Sequence, residues 1–76
     1  MEKFLITKAG FLKLKAEIEH LKTVERPKII AAVAQARELG DLKENAEYHA
    51  SREKQGLTEA LIANLEDKLA RAEIVD

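Results

Sequence analysis

The chain has 76 residues, so it can hold a single domain, and in a chain this short one hydrophobic core contributes little stability. Hydrophobic residues make up 46% of the sequence, yet 12 of them are alanines, which bury little area. Charged residues reach 36% and aromatic residues only 4%, a composition typical of a long charged helical hairpin. The net charge of -1 argues against indiscriminate binding to nucleic acid, and the lack of cysteine excludes disulfides and thiolate metal sites.

The sequence shows no targeting or membrane signal. There is no basic start followed by an apolar run, and no stretch of about 18 apolar residues. We therefore expect a cytoplasmic protein without a membrane partner, folded as one domain over residues 1–76. No serine lies beside a histidine and an acid, so nucleophilic catalysis is not expected. His20 and His49 fall on different predicted helices, which predicts surface positions rather than a zinc site.

Helical periodicity dominates from about residue 8 to residue 39, after a short apolar run, Phe4–Ile6, that is compatible with a strand. Pro27 has no N–H to donate within this helix, and its polar surroundings favour a kink over a break. After Pro27 the apolar stripe moves by one residue, so we attribute the kink and the phase change to one cause. The two stripes are Phe11, Leu14, Ile18 and Leu21, then Ile29, Val33 and Ala36.

A second periodic segment, from about Leu42 to Ala72, predicts the return helix of a hairpin. With a turn centred near Asp41, residues whose numbers sum to about 83 lie opposite each other, and four consecutive layers become apolar. This arrangement predicts an all-α fold, a long antiparallel coiled coil. The apolar layers pair Phe11 with Ala72, Leu14 with Leu69, Ile18 with Leu65, and Leu21 with Ile62.

The outer layers of the same scheme are polar or small, which predicts a slender outer half. They pair Glu25 with Thr58, Lys28 with Gln55, Ala32 with Ser51, and Gln35 with Tyr48, with a second stripe at Ile29, Val33 and Leu57 left open. At the other end, Ile74 and Val75 are predicted to pair or pack beside Phe4–Ile6. The first helix is rich in bases and the second in acids, which supports the pairing modestly.

The predicted turn, Gly40–His49, has the sequence GDLKENAEYH and presents two acids three residues apart. One interpretation is structural: Gly40 ends a helix, Asp41 caps the next, and Glu44 completes a capping box. The other is chemical, because two carboxylates at the end of a rigid arm suit Mg²⁺ when phosphates and waters complete its octahedron. The nearby bases are either solvated helix charges or a phosphate-binding patch; they are Arg37, Lys43 and Arg52.

Residues 41–48, with Gly40 ahead and His49–Glu53 behind, resemble the tip signature of the bacterial Gre transcript cleavage factors. The resemblance extends upstream to Arg26–Ala32 and downstream to Ala72–Asp76. It therefore covers essentially the whole chain. The family continues into a second, globular domain that anchors the factor on RNA polymerase, and we expect these 76 residues to correspond to the N-terminal coiled coil alone.

The resemblance implies a function that spacing alone does not. Gre factors insert this kind of arm into the secondary channel of bacterial RNA polymerase and stimulate endonucleolytic cleavage of the 3′ end of backtracked nascent RNA. It implies that Asp41 and Glu44 help to hold a catalytic Mg²⁺ jointly with the polymerase, which is itself the enzyme. Contact with DNA in the transcription complex is implied as well. By the same resemblance, Arg37 and Arg52 face the RNA, and Asn45 and Tyr48 shape the tip.

Two other classes of protein remain open on the residues alone. A polymerase-channel inhibitor shares the hairpin but alters the tip acids, both of which are present here. A plain coiled-coil interaction module needs neither acid. Apolar residues expected to be exposed at the open base also predict self-association; they are Phe4, Ile6, Ile74 and Val75.

Overall fold

The computed structural model describes residues 2–76, and within them two long helices run antiparallel with a short strand before the first and after the second. The molecule is 53 Å long and 23 × 12 Å across, so the predicted all-α hairpin is confirmed. No helix in residues 2–76 combines the length and the apolar character needed to cross a membrane. The elements are β1 (Phe4–Ile6), α1 (Lys8–His20), a π-helical segment (Leu21–Glu25), α2 (Arg26–Arg37), α3 (Ala46–Ala70) and β2 (Ala72–Ile74).

The π-helical segment accounts for the phase change that the sequence shows near Pro27. The N–H of Arg26 donates to the carbonyl oxygen of Leu21, five residues back instead of four, so one extra residue enters this turn. Pro27 follows in the first turn of α2, where the ladder lacks a bond because proline has no N–H. The chain therefore stays helical through Pro27, as predicted, and the irregularity lies just upstream of it.

The base of the hairpin, formed by β1, α1, residues 60–70 and β2, contains the larger core. Leu14 and Ile18 are buried with Leu65, in agreement with the predicted layers, and Ile62 is only 1% exposed. Burying one such aliphatic side chain fully contributes about 1.5–3 kcal/mol. These few residues therefore account for much of the packing energy of the hairpin. Four further apolar residues pack against the cluster: Phe4, Ile6, Leu21 and Leu69.

The outer half, formed by α2 and residues 46–59, packs in a different register from the prediction. On α2 the buried residues are Ile29, Val33 and Ala36, whereas the predicted layer residues Lys28, Ala32 and Gln35 are exposed. The layer pairing was wrong by one residue because it carried a constant spacing through the π-helical segment, whereas the apolar stripe predicted after Pro27 is confirmed. The α3 side of the scheme holds, since its members are half-buried: Tyr48, Ser51, Gln55 and Thr58. Leu57, considered for a second stripe, is 67% exposed.

A two-stranded parallel sheet closes the base. β1 pairs with β2 in the register Phe4 to Ala72 and Ile6 to Ile74, and the whole hairpin serves as the long crossover that parallel strands require. The N–H of Val75 also donates to the carbonyl oxygen of Ile6 at 2.9 Å. The predicted pairing at the base is thereby confirmed. Phe4 and Ile6 are half-buried against the core, so their predicted exposure was wrong, and self-association stays a prediction.

Ion pairs connect the basic first helix to the acidic second one. The Lys22 ammonium lies 3.0 Å from the Glu66 carboxylate, and the Arg26 guanidinium makes two hydrogen bonds with Glu59, at 2.7 and 2.8 Å. The hydrogen bond from Arg26 lowers the pKa of the Glu59 carboxyl group, and the same bond raises the pKa of Arg26. Partly exposed pairs of this kind stabilise a fold modestly, but they help to define which faces of the helices meet.

Candidate functional site

α2 ends at Arg37, and a turn through Glu38 and Leu39 leads to Gly40, so the first helix stops about two residues before the end that the sequence predicts. The N–H of Gly40 donates to the carbonyl oxygen of Arg37 at 3.3 Å, and Gly40 has a φ of +93°, in the left-handed region. A Cβ atom at this position would meet nothing within 4 Å. The requirement for glycine is therefore conformational rather than steric, because residues with a Cβ are disfavoured at positive φ.

The second helix begins later than predicted, and Asp41 does not cap it. α3 starts at Ala46 with Asn45 as its N-cap, so the tip loop comprises residues 38–45. The Asp41 carboxylate instead accepts from the N–H of Lys43 at 3.2 Å and stabilises a local turn. The predicted capping box is wrong as well, because the third helical position of α3 is Tyr48 and Glu44 lies before the cap.

Asp41 and Glu44 meet at one concavity of about 320 Å³ at the end of the hairpin, which we call the tip concavity. Both side chains are exposed, so packing in the core does not explain why acids occupy these two positions. The sequence analysis missed Glu47, a third acid here. Its signal is an acid in the first turn of a helix, a position that the helix dipole favours. The lining residues are Leu39, Gly40, Asp41, Glu44, Asn45, Ala46 and Glu47.

Over the described residues 2–76, no three side chains of the types His, Cys, Asp and Glu converge closely enough to hold an ion. The carboxylates of Asp41 and Glu44 are ligands of the kind that hard divalent cations such as Mg²⁺ accept, usually with phosphate oxygens and waters in the rest of the shell.

Asn45 is the most connected side chain of the tip. Its Oδ1 accepts from the N–H of Tyr48 at 2.9 Å, while its Nδ2 donates to the carbonyl oxygens of Ala36 at 2.6 Å and Gly40 at 3.2 Å. One of these bonds, to Ala36, crosses from the start of α3 to the last turn of α2, and the bond to Gly40 is made within the tip loop. Asn45 therefore connects the two helices as well as capping one of them.

Of the two arginines predicted to face RNA, only Arg37 belongs to the tip. Its guanidinium lies 5.8 Å from the centroid of the Tyr48 ring, within cation–π range, so the ring supports the charge. Arg52 lies farther down α3, where its Nη1 donates to Gln55 Oε1 at 2.7 Å. It lines a separate shallow surface with Gln55, Gly56 and Glu59. Arg37 and Arg52 therefore lie at separate positions, with Lys43 in the tip loop, and contact of these bases with RNA stays a prediction.

The histidines occupy the exposed positions predicted for them. His49 Nε2 lies 3.1 Å from the carbonyl oxygen of Lys43, and the His49 ring meets the Tyr48 ring edge to face, with centroids 5.6 Å apart. His49 thereby connects the tip loop to α3. His20 lies near the π-helical segment, with Nε2 3.8 Å from a Glu25 carboxylate oxygen.

The fold and the tip together define a class: a narrow antiparallel coiled-coil arm that carries two exposed carboxylates at its far end. Residues 4–74 match the family model described as transcription elongation factor, N-terminal, and the chain belongs to this GreA/GreB N-terminal family. The chain is 58% identical over its whole length to the transcription elongation factor GreA of Caulobacter vibrioides, and 57% identical to that of Pseudomonas aeruginosa. It spans 48% of the length of each of these relatives.

Proposed function

We propose that this chain is the coiled-coil arm of a bacterial transcription elongation factor that enters the secondary channel of RNA polymerase. There it stimulates endonucleolytic cleavage of the 3′ end of backtracked nascent RNA, so that an arrested complex resumes synthesis in the cytoplasm. One observation carries the proposal. Asp41 and Glu44 are exposed together at the end of a hairpin 53 Å long, in a chain that belongs to an elongation-factor family.

The shape of the hairpin supports insertion into a channel. The molecule is only 23 × 12 Å across, and the buried residues of α2 are modest in size, down to the methyl group of Ala36. Such a core keeps the two helices close and the arm slender. The main cluster of buried apolar side chains lies instead at the base, which is the end that stays outside in this proposal.

The tip carboxylates fit a Mg²⁺ ion that is shared with a partner. Asp41 uses Oδ1 in its turn, which leaves Oδ2 available, and Glu44 is exposed beside it. Mg²⁺ is commonly held by one or two carboxylates together with phosphates and waters, so polymerase carboxylates and an RNA phosphate complete the set. When bound, the ion supplies an activated water and stabilises the leaving oxygen. The chain thus acts as an accessory factor, and the polymerase is the enzyme.

Arg37, the last residue of α2 before the tip loop, is a phosphate-binding group of the arm in this proposal. A guanidinium held over an aromatic ring keeps its N–H groups free at the edge for phosphate oxygens. Arg52, on the separate surface farther down α3, contacts the extruded RNA beyond the cleaved bond. The two arginines therefore act on different nucleotides.

Cleavage by stalled, backtracked polymerase complexes tests the proposal. The variants Asp41→Asn and Glu44→Gln remove one charge each, and Glu53→Gln, an exposed position on α3, is the charge-matched control. Loss of about 100-fold or more in the tip variants, with full activity of the control, is the expected result. The assay is run with this chain at saturating concentration and with its fusion to the C-terminal half of the Pseudomonas aeruginosa relative, so that weak anchoring is separated from lost chemistry.

The same assay separates the alternatives. Cleavage at the wild-type rate in both tip variants contradicts the metal-ligand role. Suppression of the polymerase's intrinsic cleavage by the wild-type chain would identify a channel inhibitor. Binding without any effect on cleavage would identify a plain interaction module. Circular dichroism confirms that each variant is folded, which the structure predicts because neither acid caps a helix.

A further inference from the structure

Asn45 lies where α2, the tip loop and α3 meet, and its amide has two separable tasks. The carbonyl oxygen caps α3 through the N–H of Tyr48. The amino group donates to the carbonyl oxygens of Ala36 and Gly40, at 2.6 and 3.2 Å. The Ala36 oxygen lies in the last turn of α2 and also accepts from the N–H of Leu39 at 3.1 Å, whereas Gly40 lies in the tip loop, three residues beyond the end of the helix.

The bond to Ala36 is the stronger of the two. It is short, and it lies in a part-buried position beside a residue that is only 4% exposed, where water competes poorly. The bond to Gly40 holds the carbonyl that directly precedes Asp41. The Asn45 side chain therefore holds both ends of the loop from Gly40 to Asn45 through hydrogen bonds. Asp41 and Glu44 both lie between these ends.

We propose that Asn45 is a positioning residue whose two amide N–H bonds hold the tip loop against α2 and thereby orient Asp41 and Glu44, separately from its role as the cap of α3. The effect on cleavage rests on the proposed function, whereas the effect on the loop is a property of the chain itself. Aspartate caps a helix as well as asparagine does, but an ionised carboxylate has no donor. The substitution Asn45→Asp therefore keeps one task and removes the other.

Amide order parameters measured by nuclear magnetic resonance test the loop directly. At about pH 7 the introduced carboxylate faces two carbonyl oxygens, so we expect the values for residues 40–44 to fall from about 0.85 to below about 0.6. Residues 46–49 should keep their order because the cap remains. At about pH 3 the introduced carboxyl group is protonated, regains a donor and restores order relative to the wild type at the same pH. The matched control is Asn64→Asp, an exposed position on α3.

Each outcome decides the proposal. If the tip loop of Asn45→Asp is as ordered as that of the wild type at neutral pH, the proposal is overturned. It is also overturned if residues 46–49 lose as much order as residues 40–44, since the side chain would then act only as the cap of α3. In the cleavage assay, Asn45→Asp should lose about tenfold or more, because misplacing reactive groups by about 1 Å can cost 100-fold. If the loop loses order while cleavage is unchanged, the claim that Asn45 orients Asp41 and Glu44 for cleavage is overturned. If Asp41→Asn and Glu44→Gln also cleave normally, the proposed function fails, and the loop measurement alone decides the role of Asn45.

Discussion

The base and the outer half of the hairpin solve the same packing problem with different side chains. At the base, large aliphatic residues such as Leu14, Ile18 and Leu65 form a cluster that a two-stranded sheet closes. In the outer half, Ile29, Val33 and Ala36 face a second helix whose inward positions are half-buried and include Ser51 and Gln55. Stability is therefore concentrated at the base. The outer half stays slender and leaves its polar groups at the tip.

The π-helical segment lets these two halves coexist in one helix. A coiled-coil seam has two core positions in every seven residues. If Ile18 and Leu21 are one such pair, an uninterrupted repeat places Glu25 and Lys28 at the next pair. One additional residue in the turn brings Ile29 to the seam in place of Lys28. The difference between the halves is thus a change of register, which the segment absorbs locally.

The largest expected effect is a cavity at the base. Leu65→Ala should destabilise the hairpin by about 2–5 kcal/mol, because it removes most of a side chain from the main cluster. Val33→Ala in the outer half removes only two methyl groups and should cost about 1–2 kcal/mol. Urea denaturation followed by circular dichroism measures both. Equal costs would contradict the concentration of stability at the base.

Single-residue deletions test whether the π-helical segment holds the extra residue that shifts the seam. Deletion of Val24 from the π-helical segment leaves a regular seven-residue repeat from Leu21 to Ile29, so the seam survives. Deletion of Ala31 from α2 rotates Val33 and Ala36 by about 100° out of the seam and should cost about 2–3 kcal/mol more. Both deletions are compared in a Pro27→Ala background, which removes the penalty of proline in a continuous helix. A Val24 deletion that is as harmful as the Ala31 deletion would refute this account.

A smaller effect is expected at the tip, where the Tyr48 ring supports Arg37. Tyr48→Leu should raise the concentration that gives half-maximal RNA cleavage by about two- to fivefold, since an exposed cation–π contact contributes about 0.5–1 kcal/mol. Tyr48→Phe keeps the ring and is the matched control. If phenylalanine behaves like leucine, the hydroxyl group rather than the ring is responsible.

The smallest effect is the pH dependence of the Arg26–Glu59 pair, which lies at the inner end of the outer half. The pKa of Glu59 is lowered in the fold, so the pair's stabilisation is complete above the ordinary glutamate pKa of about 4.3 and is lost as the pH falls through the lowered value. The stability difference between wild type and Glu59→Gln should therefore shrink on acidification. A difference that does not change with pH would argue against the pair.

The hairpin fold and the location of its tip could both be predicted from the sequence alone. Helical spacing of apolar residues predicted two antiparallel helices, and the layers that include Leu14 with Leu69 and Ile18 with Leu65 agree with the observed core. Gly40 marked the turn of the hairpin because positive φ favours glycine. The sequence also singled out Asp41 and Glu44, which the structure places at one concavity. These features depend on local spacing and local conformation, which a sequence records directly.

The N-cap of α3, the register of the outer half and the contacts that hold the tip depend on tertiary packing. Asp41 and Asn45 are both good caps, and the choice fell on Asn45 because its amide also reaches the Ala36 carbonyl across the loop. The sequence located a phase change near Pro27, and the structure places the extra residue just upstream, in the π-helical segment. The contact of Arg37 with the Tyr48 ring joins residues on different helices. Each of these depends on where two distant segments meet, because only the folded chain brings their donors, acceptors and rings within reach.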